Sequence, residues 1–266
     1  MAIQRVLSKL AKTDVLLKHG ELRDHIPDTR KLSHQSITDM IHTYGMVYVK
    51  PDVGTFGSGV IRVERAPEGF RAQLGTRVYK FGSIDGLYAG LLRIKHRGTY
   101  VVQRGIHLLK HKGRRFDIRV MVQMSPRGAW ETTGIIGRLA HPKRIVTNYH
   151  SGGTPMSFQS LMASHLSADR QQAYMTKLRA LGTRTARQLQ TRYPGLKELG
   201  LDVAVDRDLR PWILEVNTKP DPFLFRKLKD KSVFRKVYRY ADAYGRFKKK
   251  RRSVRRLTSA KRARRA

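Results

Sequence analysis

The run LDVAVDRDLRPWILEVN, residues 201–217, constrains the fold of this chain more than any other segment. Val203, Val205, Trp212, Leu214 and Val216 alternate with other side chains, the period-2 mark of paired strands with one face in a core. With residues 207–210 as the connection, Asp206 faces Pro211, Val203 faces Leu214, and Asp202 faces Glu215. Opposed side chains in such a ladder lie about 5 Å apart. At that distance two carboxylates repel by roughly 3 kcal/mol at an effective dielectric near 20. A hard cation with oxygen ligands removes the repulsion, and Asn217, two residues on and on the same face, offers a third oxygen. The same spacing also fits two acids on a solvated face, held by neighbouring Arg and Lys. A one-residue change of register would give Glu215 a different partner.

The rest of the chain reads as helices mixed with antiparallel strands. A helical lead covers residues 1–44, interrupted by a turn at HIPDTR and closing with a short helix over residues 33–44. MVYVKPDVGTFGSGVIRV then gives strand, glycine-rich turn and strand. Residues 77–81 read as extended, 83–95 as helix and 100–103 as a short buried strand. RRFDIRVMVQM and GAWETTGIIGRLA form a hairpin across SPRG. Tyr174, Leu178, Leu181 and Leu189 mark a helix over residues 167–192 that ends at Pro194 and Gly195. The pattern is α+β, without the βαβ units of dinucleotide-binding folds.

In VKPDVGTFGSGV, Lys50 ends a strand, and Gly54, Gly57 and Gly59 with Ser58 fill the turn that follows. Glycines let backbone N–H groups wrap anionic oxygens, and Lys50 adds a point charge for phosphate. The segment is neither a Walker A loop, which needs Gly-Lys-Ser/Thr leading into a helix, nor a Rossmann turn. A hairpin turn without a ligand has the same composition. Next to the acidic pair it points to a nucleoside triphosphate with magnesium, since the two are commonly bound together.

Charge adds a second theme. The chain carries 55 Lys and Arg against 20 Asp and Glu, a net +35, and such a field attracts polyanions. Residues 246–266, RFKKKRRSVRRLTSAKRARRA, hold no acid. They read either as a disordered arm that contacts nucleic acid or another polyanion, or as a solvated tail. The absence of cysteine excludes disulfides, thiol nucleophiles and thiolate zinc sites. The opening MAIQRVLSKLAKTD lacks the apolar core of a signal peptide, and no apolar run reaches membrane-spanning length, so a cytoplasmic location is expected.

The order VKPDVGTFGSG, YVVQRGI, FDIRVMVQ, GLDVAVD and LEVNTKPD resembles the ATP-grasp superfamily, most closely the YheC/YheD family of spore coat-associated proteins. The likeness spans residues 6–247. It implies two α+β subdomains with antiparallel sheets that grip ATP between them, over residues 45–104 and 105–245. It also implies a reaction that joins a carboxylate to an amine or similar nucleophile through an acyl-phosphate.

Matched position by position, the resemblance gives Lys50 to phosphate and adenine, the loop from Gly54 through Gly57 and Ser58 to Gly59 to the phosphates, and Gln103, Arg104, Gly105 and Ile106 to an adenine-reading hinge. It gives Asp202, Glu215 and Asn217 to magnesium or manganese, and Arg119 and Arg138 to the transferring phosphate or the acceptor carboxylate. Taken by itself, Arg119 could equally pair with Asp117, two residues away on the same face. Asn148, Gly152 and Gly153 match a loop near the acceptor, and Lys9 or Lys12 a second ATP lysine. Relatives carry a further N-terminal domain that helps to bind the acceptor. Only the helical lead precedes Lys50 here, so part of that pocket is expected to be missing. A coat-associated structural role without catalysis, or binding of nucleic acid through the basic surface, are the rival expectations.

Overall fold

The computed structural model describes residues 3–55 and 57–247. Helix α1 (Lys9–Leu17) starts at Ser8, whose hydroxyl accepts from the Ala11 N–H. After α2 (Gly20–Arg23), strand β1 (Thr29–Lys31) leads to α3 (His34–Tyr44). Helix α3 has reciprocal Ser33 and Ser36 caps and ends at Gly45, whose φ of 66° suits glycine. Strands β2 (Met46–Pro51), β3 (Ile61–Ala66), β4 (Gly69–Leu74) and β5 (Arg77–Phe81) precede α4 (Ile84–Ile94) and β6 (Tyr100–Arg104). They form a first antiparallel sheet in the order β1-β6-β2-β3-β4-β5. Ile37, Met40 and Ile41 of α3 and Leu87 and Leu91 of α4 bury one face of it, each worth about 1.5–3 kcal/mol of apolar burial.

The second sheet holds β7 (Lys110–His111), β8 (Arg114–Met124), β9 (Trp130–Leu139), β10 (Thr154–Met156), β11 (Glu198–Val205) and β12 (Pro211–Asn217). Its order is β10-β9-β8-β11-β12, all antiparallel, with β7 paired to the start of β8. Helix α5 (Phe158–Met162) and the long α6 (Ala168–Arg192) cover one face. There Phe116, Ile118, Val120 and Val122 of β8 meet Leu178, Leu181 and Leu189. On the other face a 3-10 turn over Pro222–Lys227 and α7 (Lys231–Ala243) bring Phe225 and Val237 onto Met121 and Ile136. With both faces covered, β8 is almost continuously buried, and its polar residues need partners inside the protein.

The structure changes several sequence readings. Thr29–Lys31, read as part of a turn, is the edge strand β1, whose three residues are too few to show a period. Strands β4 and β10 and helices α5 and α7 were not read from the sequence, although Val233, Val237, Tyr240 and Ala241 after Asp230 carry a helical period in α7. In the acidic hairpin, Asp206 pairs with Arg210 instead of Pro211, and Val203 faces Ile213 instead of Leu214. A bulge between Asp202 and Val203 restores the Asp202–Glu215 pairing. The core residues of β12 are accordingly Ile213 and Val216. Trp212 and Leu214 lie on the opposite side with Ile106 and Ala204.

Of the segment read as a basic tail, Arg246 and Phe247 pack on the body: the Arg246 guanidinium donates to the Pro220 carbonyl at 2.7 Å, and Phe247 stacks on Tyr238. Residues 248–266 lie outside the described residues.

Candidate functional site

Strand alternation on β8 turns Asp117 and Arg119 away from the Phe116–Val120 face. The register then builds two charged rows. Asp117 stands opposite Arg138 of β9, while Arg119, Asp202 and Glu215 stand opposite one another across β8, β11 and β12. Arg138 grips Asp117 with two hydrogen bonds, from Nε at 2.9 Å and Nη2 at 2.5 Å. Its Nη2 also lies 3.0 Å from Asp202 Oδ2. Arg119 Nε donates to Asp202 Oδ1 at 2.6 Å, so Arg119 takes Asp202, and Asp117 belongs to Arg138. Thr147 donates to Asp117 Oδ2 at 2.6 Å, and Asn217 Nδ2 lies 3.4 Å from Asp202 Oδ2.

Asp117, Arg138, Asp202 and Glu215 of these rows line one wall of a cleft between the two sheets, partly open to solvent, which Arg119 and Asn217 do not line. Lys50 ends β2 on the facing wall, and its ammonium donates to Gln103 Oε1 at 2.5 Å. Lys9 stands at the rim, 3.4 Å from Glu215 and 2.8 Å from the Pro51 carbonyl. Lys12 is buried behind it, donating to the Val6 carbonyl at 3.0 Å, so Lys9 is the lysine of the pair that lines the cleft. Gly54, Thr55, Gly57 and Ser58 cover the cleft from the first sheet. At Gly57 φ is 73°, and a Cβ there would sit 2.9 Å from Asn148 Oδ1, so the loop touches the second sheet's 145–148 segment only because the residue is glycine. Tyr48, Val60, Ile106, Leu108, Ile145 and Leu214 supply the apolar walls.

The electrostatics follow from this packing. Burial pushes the Lys50 ammonium down to about 8, against the pull of Glu215. Burial acts likewise on Lys12, also to about 8. Burial alone would raise Asp202, but Arg119 and Arg138 outweigh it and hold the carboxyl below its usual range. The same partnership, with Asp117, raises Arg138 against its own desolvation. Lys9, Lys50 and Arg138 line the cleft with Asp117, Asp202 and Glu215, and Arg119, which pairs with Asp202 without lining the cleft, adds a fourth cation and leaves an excess of positive charge for an anion.

Not every residue singled out in the sequence reaches the cleft. Of the proposed hinge only Ile106 does. Gln103 is spent on Lys50 and Thr29, the Arg104 N–H on the Asp28 carbonyl, and the Gly105 N–H on the Met46 carbonyl. The Arg104 guanidinium lies over the Tyr44 and Trp212 rings, at 5.1 and 4.9 Å. Gly59 sits beneath the Tyr100 hydroxyl. Asn148 lines the cleft, whereas Gly152 and Gly153 shape the loop behind it, with the Gly153 N–H bonded to the Asn148 carbonyl at 3.1 Å. Sequence reasoning missed Asp117, Thr147, Tyr48 and Leu108 as site residues. Strand parity with Arg119 could have found Asp117, while Thr147 carries no such signal.

For a divalent cation the residues that could serve as donors are Asp202 and Glu215, which line the cleft, and Asn217, which does not line it. Among the described residues no group of three or more His, Asp or Glu side chains could hold a metal by itself. Two opposed carboxylates and an amide still suit magnesium, which takes one or two protein carboxylates and completes its shell with phosphate oxygens and water.

Two antiparallel sheets, each backed by helices, with a glycine loop over a charged cleft between them, make an ATP-grasp arrangement. Residues 2–247 match a family described as YheC/D-like ATP-grasp. This chain belongs to that family. Its curated relatives include the endospore coat-associated protein YheD of Bacillus subtilis, 24% identical over 84% of this chain and 48% of the relative. YheC of the same organism is 24% identical over 77% of this chain and 57% of the relative. The chain therefore spans about half the length of these relatives. Among solved structures, the D-cycloserine synthetase DcsG superposes over 90% of this ATP-grasp chain and 69% of its own, with a TM-score of 0.56 at 13% identity. No helix among the described residues is long and apolar enough to cross a membrane.

Proposed function

We propose that this ATP-grasp chain binds ATP with magnesium or manganese in the cleft and acts as an ATP-dependent ligase, joining an acceptor carboxylate to an amine or similar nucleophile. The observation that supports the proposal is that the opposed Asp202 and Glu215, with Arg138, line one cleft together with Lys50 and the glycine loop. Such an assembly has little use in a purely structural protein, since buried charges cost several kcal/mol each to desolvate.

In this reading Ile106, Leu108 and Leu214 hold the adenine, and Lys50 and Lys9 neutralise phosphate oxygens. The N–H groups of the glycine loop close over the phosphates and exclude water. Asp202, Glu215 and Asn217 would hold the cation, which when bound neutralises charge on the phosphoryl oxygens. Arg119 and Arg138 stabilise charge on the transferring group or on the acceptor. An acceptor carboxylate oxygen bonds to the terminal phosphorus as the bond to the bridging oxygen breaks, releasing ADP and leaving an acyl-phosphate. The nucleophile then bonds to the acyl carbon, the carbon–oxygen bond to phosphate breaks, and the nucleophile gives up its proton. Asn148 stands where the acceptor end of such a cleft would lie.

The test is ADP release across a panel of amino acids, peptides and cell-wall precursors. Turnover with one of them that Glu215→Gln abolishes supports the ligase. ATP binding without ADP release from any of them favours the coat-associated, non-catalytic role that the relatives' names suggest.

A further inference from the structure

Away from the cleft, four aromatic rings gather on the outer side of α7. Tyr238 and Phe247 stack with centroids 4.7 Å apart and planes at 17°. Phe223 lies 6.0 to 6.4 Å from Phe247, Phe234 and Tyr238. This is no ordinary core: Phe223 and Tyr238 are 41% and 39% exposed. Cations are interleaved with the rings. The Arg226 guanidinium lies over both Phe223 and Phe234, at 5.0 and 4.9 Å. Exposed Arg235 is one helical turn from Tyr238, as Lys231 is from Phe234. Asp221 accepts from the Phe223 N–H and Asp230 from the Ser232 N–H, each as an N-cap, and Asp242 lies exposed one helical turn beyond Tyr238. From Phe247, at the centre of the patch, the sequence continues as KKKRRSVRRLTSAKRARRA, eleven basic residues and no acid.

We propose that this face binds single-stranded nucleic acid, with bases stacking on Phe223 and Tyr238 and phosphates meeting Arg226 and Arg235. Half-exposed rings need flat apolar partners, and the cations between them need regularly spaced anions. A nucleic acid strand with splayed bases offers both at once. The apolar members of the patch are all aromatic, which favours stacking over insertion into a lipid surface. The proposal does not depend on the ligase reading, because none of these side chains lines the nucleotide cleft.

The experiment measures fluorescence anisotropy of a labelled 15-nucleotide single strand with the full chain over a salt series, beside heparin and anionic phospholipid vesicles. The double variant F223L/Y238L keeps apolar bulk and removes the rings, while F223Y/Y238F keeps them. The expected result is oligonucleotide affinity lowered about tenfold or more in the leucine variant, with the salt slope and heparin binding unchanged and the ring-keeping variant equal to wild type. Thermal melting checks that both variants fold. Equal oligonucleotide affinity in the leucine variant overturns the proposal, as does an equal loss of heparin binding. Wild-type binding to vesicles but not to the oligonucleotide overturns it too.

Discussion

Asp202 stands opposite Glu215 because one residue of β12, Leu214, is bulged out between Glu215 and Ile213. Had the pairing of Val203 with Ile213 continued without a break, Leu214 would face Asp202, and Glu215 would turn towards the core beside Leu201. Bulges that re-aim side chains next to functional sites are common in antiparallel sheets. Here the bulge delivers a second carboxylate to the cleft and turns the apolar Leu214 to the same side.

The two carboxylates respond differently to neutralisation. Asp202 is buried between two guanidinium groups, so Asp202→Asn leaves Arg119 and Arg138 short of countercharge and is expected to cost about 3–5 kcal/mol in urea unfolding. Glu215 is a quarter exposed and pairs with Lys9 at 3.4 Å, so Glu215→Gln is expected to change stability by less than about 1 kcal/mol. Both variants are expected to lose metal-dependent ATP binding. The Asp202 carboxyl is depressed below its ordinary 3.8. The folded form therefore binds its proton less readily than the unfolded chain. The stability this group contributes is complete above about pH 4 and falls away as pH drops towards the folded value.

Lys50 gives the cleft its own pH dependence. With its ammonium at about 8 in the free protein, ATP affinity is expected to fall as pH rises above 8, by up to about tenfold per unit. Lys50→Gln should bind ATP more weakly and remove that slope, which titration calorimetry at pH 7, 8 and 9 would show. In the ligand-free chain the sign is opposite. Between about 8 and the unfolded value of 10.5 the unfolded chain holds the extra proton, and folding stability gains with pH.

Gly57 combines a φ of 73° with a close approach to Asn148. Gly57→Ala adds a Cβ to a left-handed residue, a cost of about 1–2 kcal/mol, and pushes the loop off the second sheet. The expected outcome is a several-fold rise in the KM for ATP with a melting temperature within a few degrees of wild type.

Glu198, fully buried, ties the N-terminal segment to the C-terminal end through ion pairs with Arg5 at 2.7 Å and with Arg246, and accepts a hydrogen bond from the Tyr244 hydroxyl at 2.7 Å. Glu198→Gln leaves two half-buried arginines without a countercharge and is expected to cost about 3–5 kcal/mol. Arg246→Ala leaves the Arg5–Glu198 pair intact and should cost less. Urea unfolding of the two variants checks the order.

What could be read in the sequence followed from periodicity. Val203 and Val205 announced a strand, although β11 is buried on both faces and not on one, and Lys50 with its glycines announced the turn that covers the cleft. Asp202 and Glu215 were placed opposite each other through a register that the structure corrects at Asp206, Val203 and Leu214, because a bulge leaves no mark in the alternation. Arg119 was found as a candidate, but its partner was not. Asp117 shares the strand face of Arg119 and Asp202 stands opposite Arg119 on β11, and only the registers of β8 with β9 and β11 assign Asp117 to Arg138 and Asp202 to Arg119. Thr147 and Leu108 lie in loops, where no period exists to place them. The backbone of Gln103, Arg104 and Gly105 could not be known to be engaged before β1 was seen as a strand beside β6.

One nucleotide and one divalent cation are expected to share the cleft beneath the glycine loop. Isothermal titration of the full chain with ATP, with and without magnesium, measures this most directly, with Glu215→Gln beside the wild type. Saturable binding strengthened at least tenfold by magnesium in the wild type, and not strengthened in Glu215→Gln, is the expected result. No binding to the wild type, or equal strengthening by magnesium in Glu215→Gln, would contradict it.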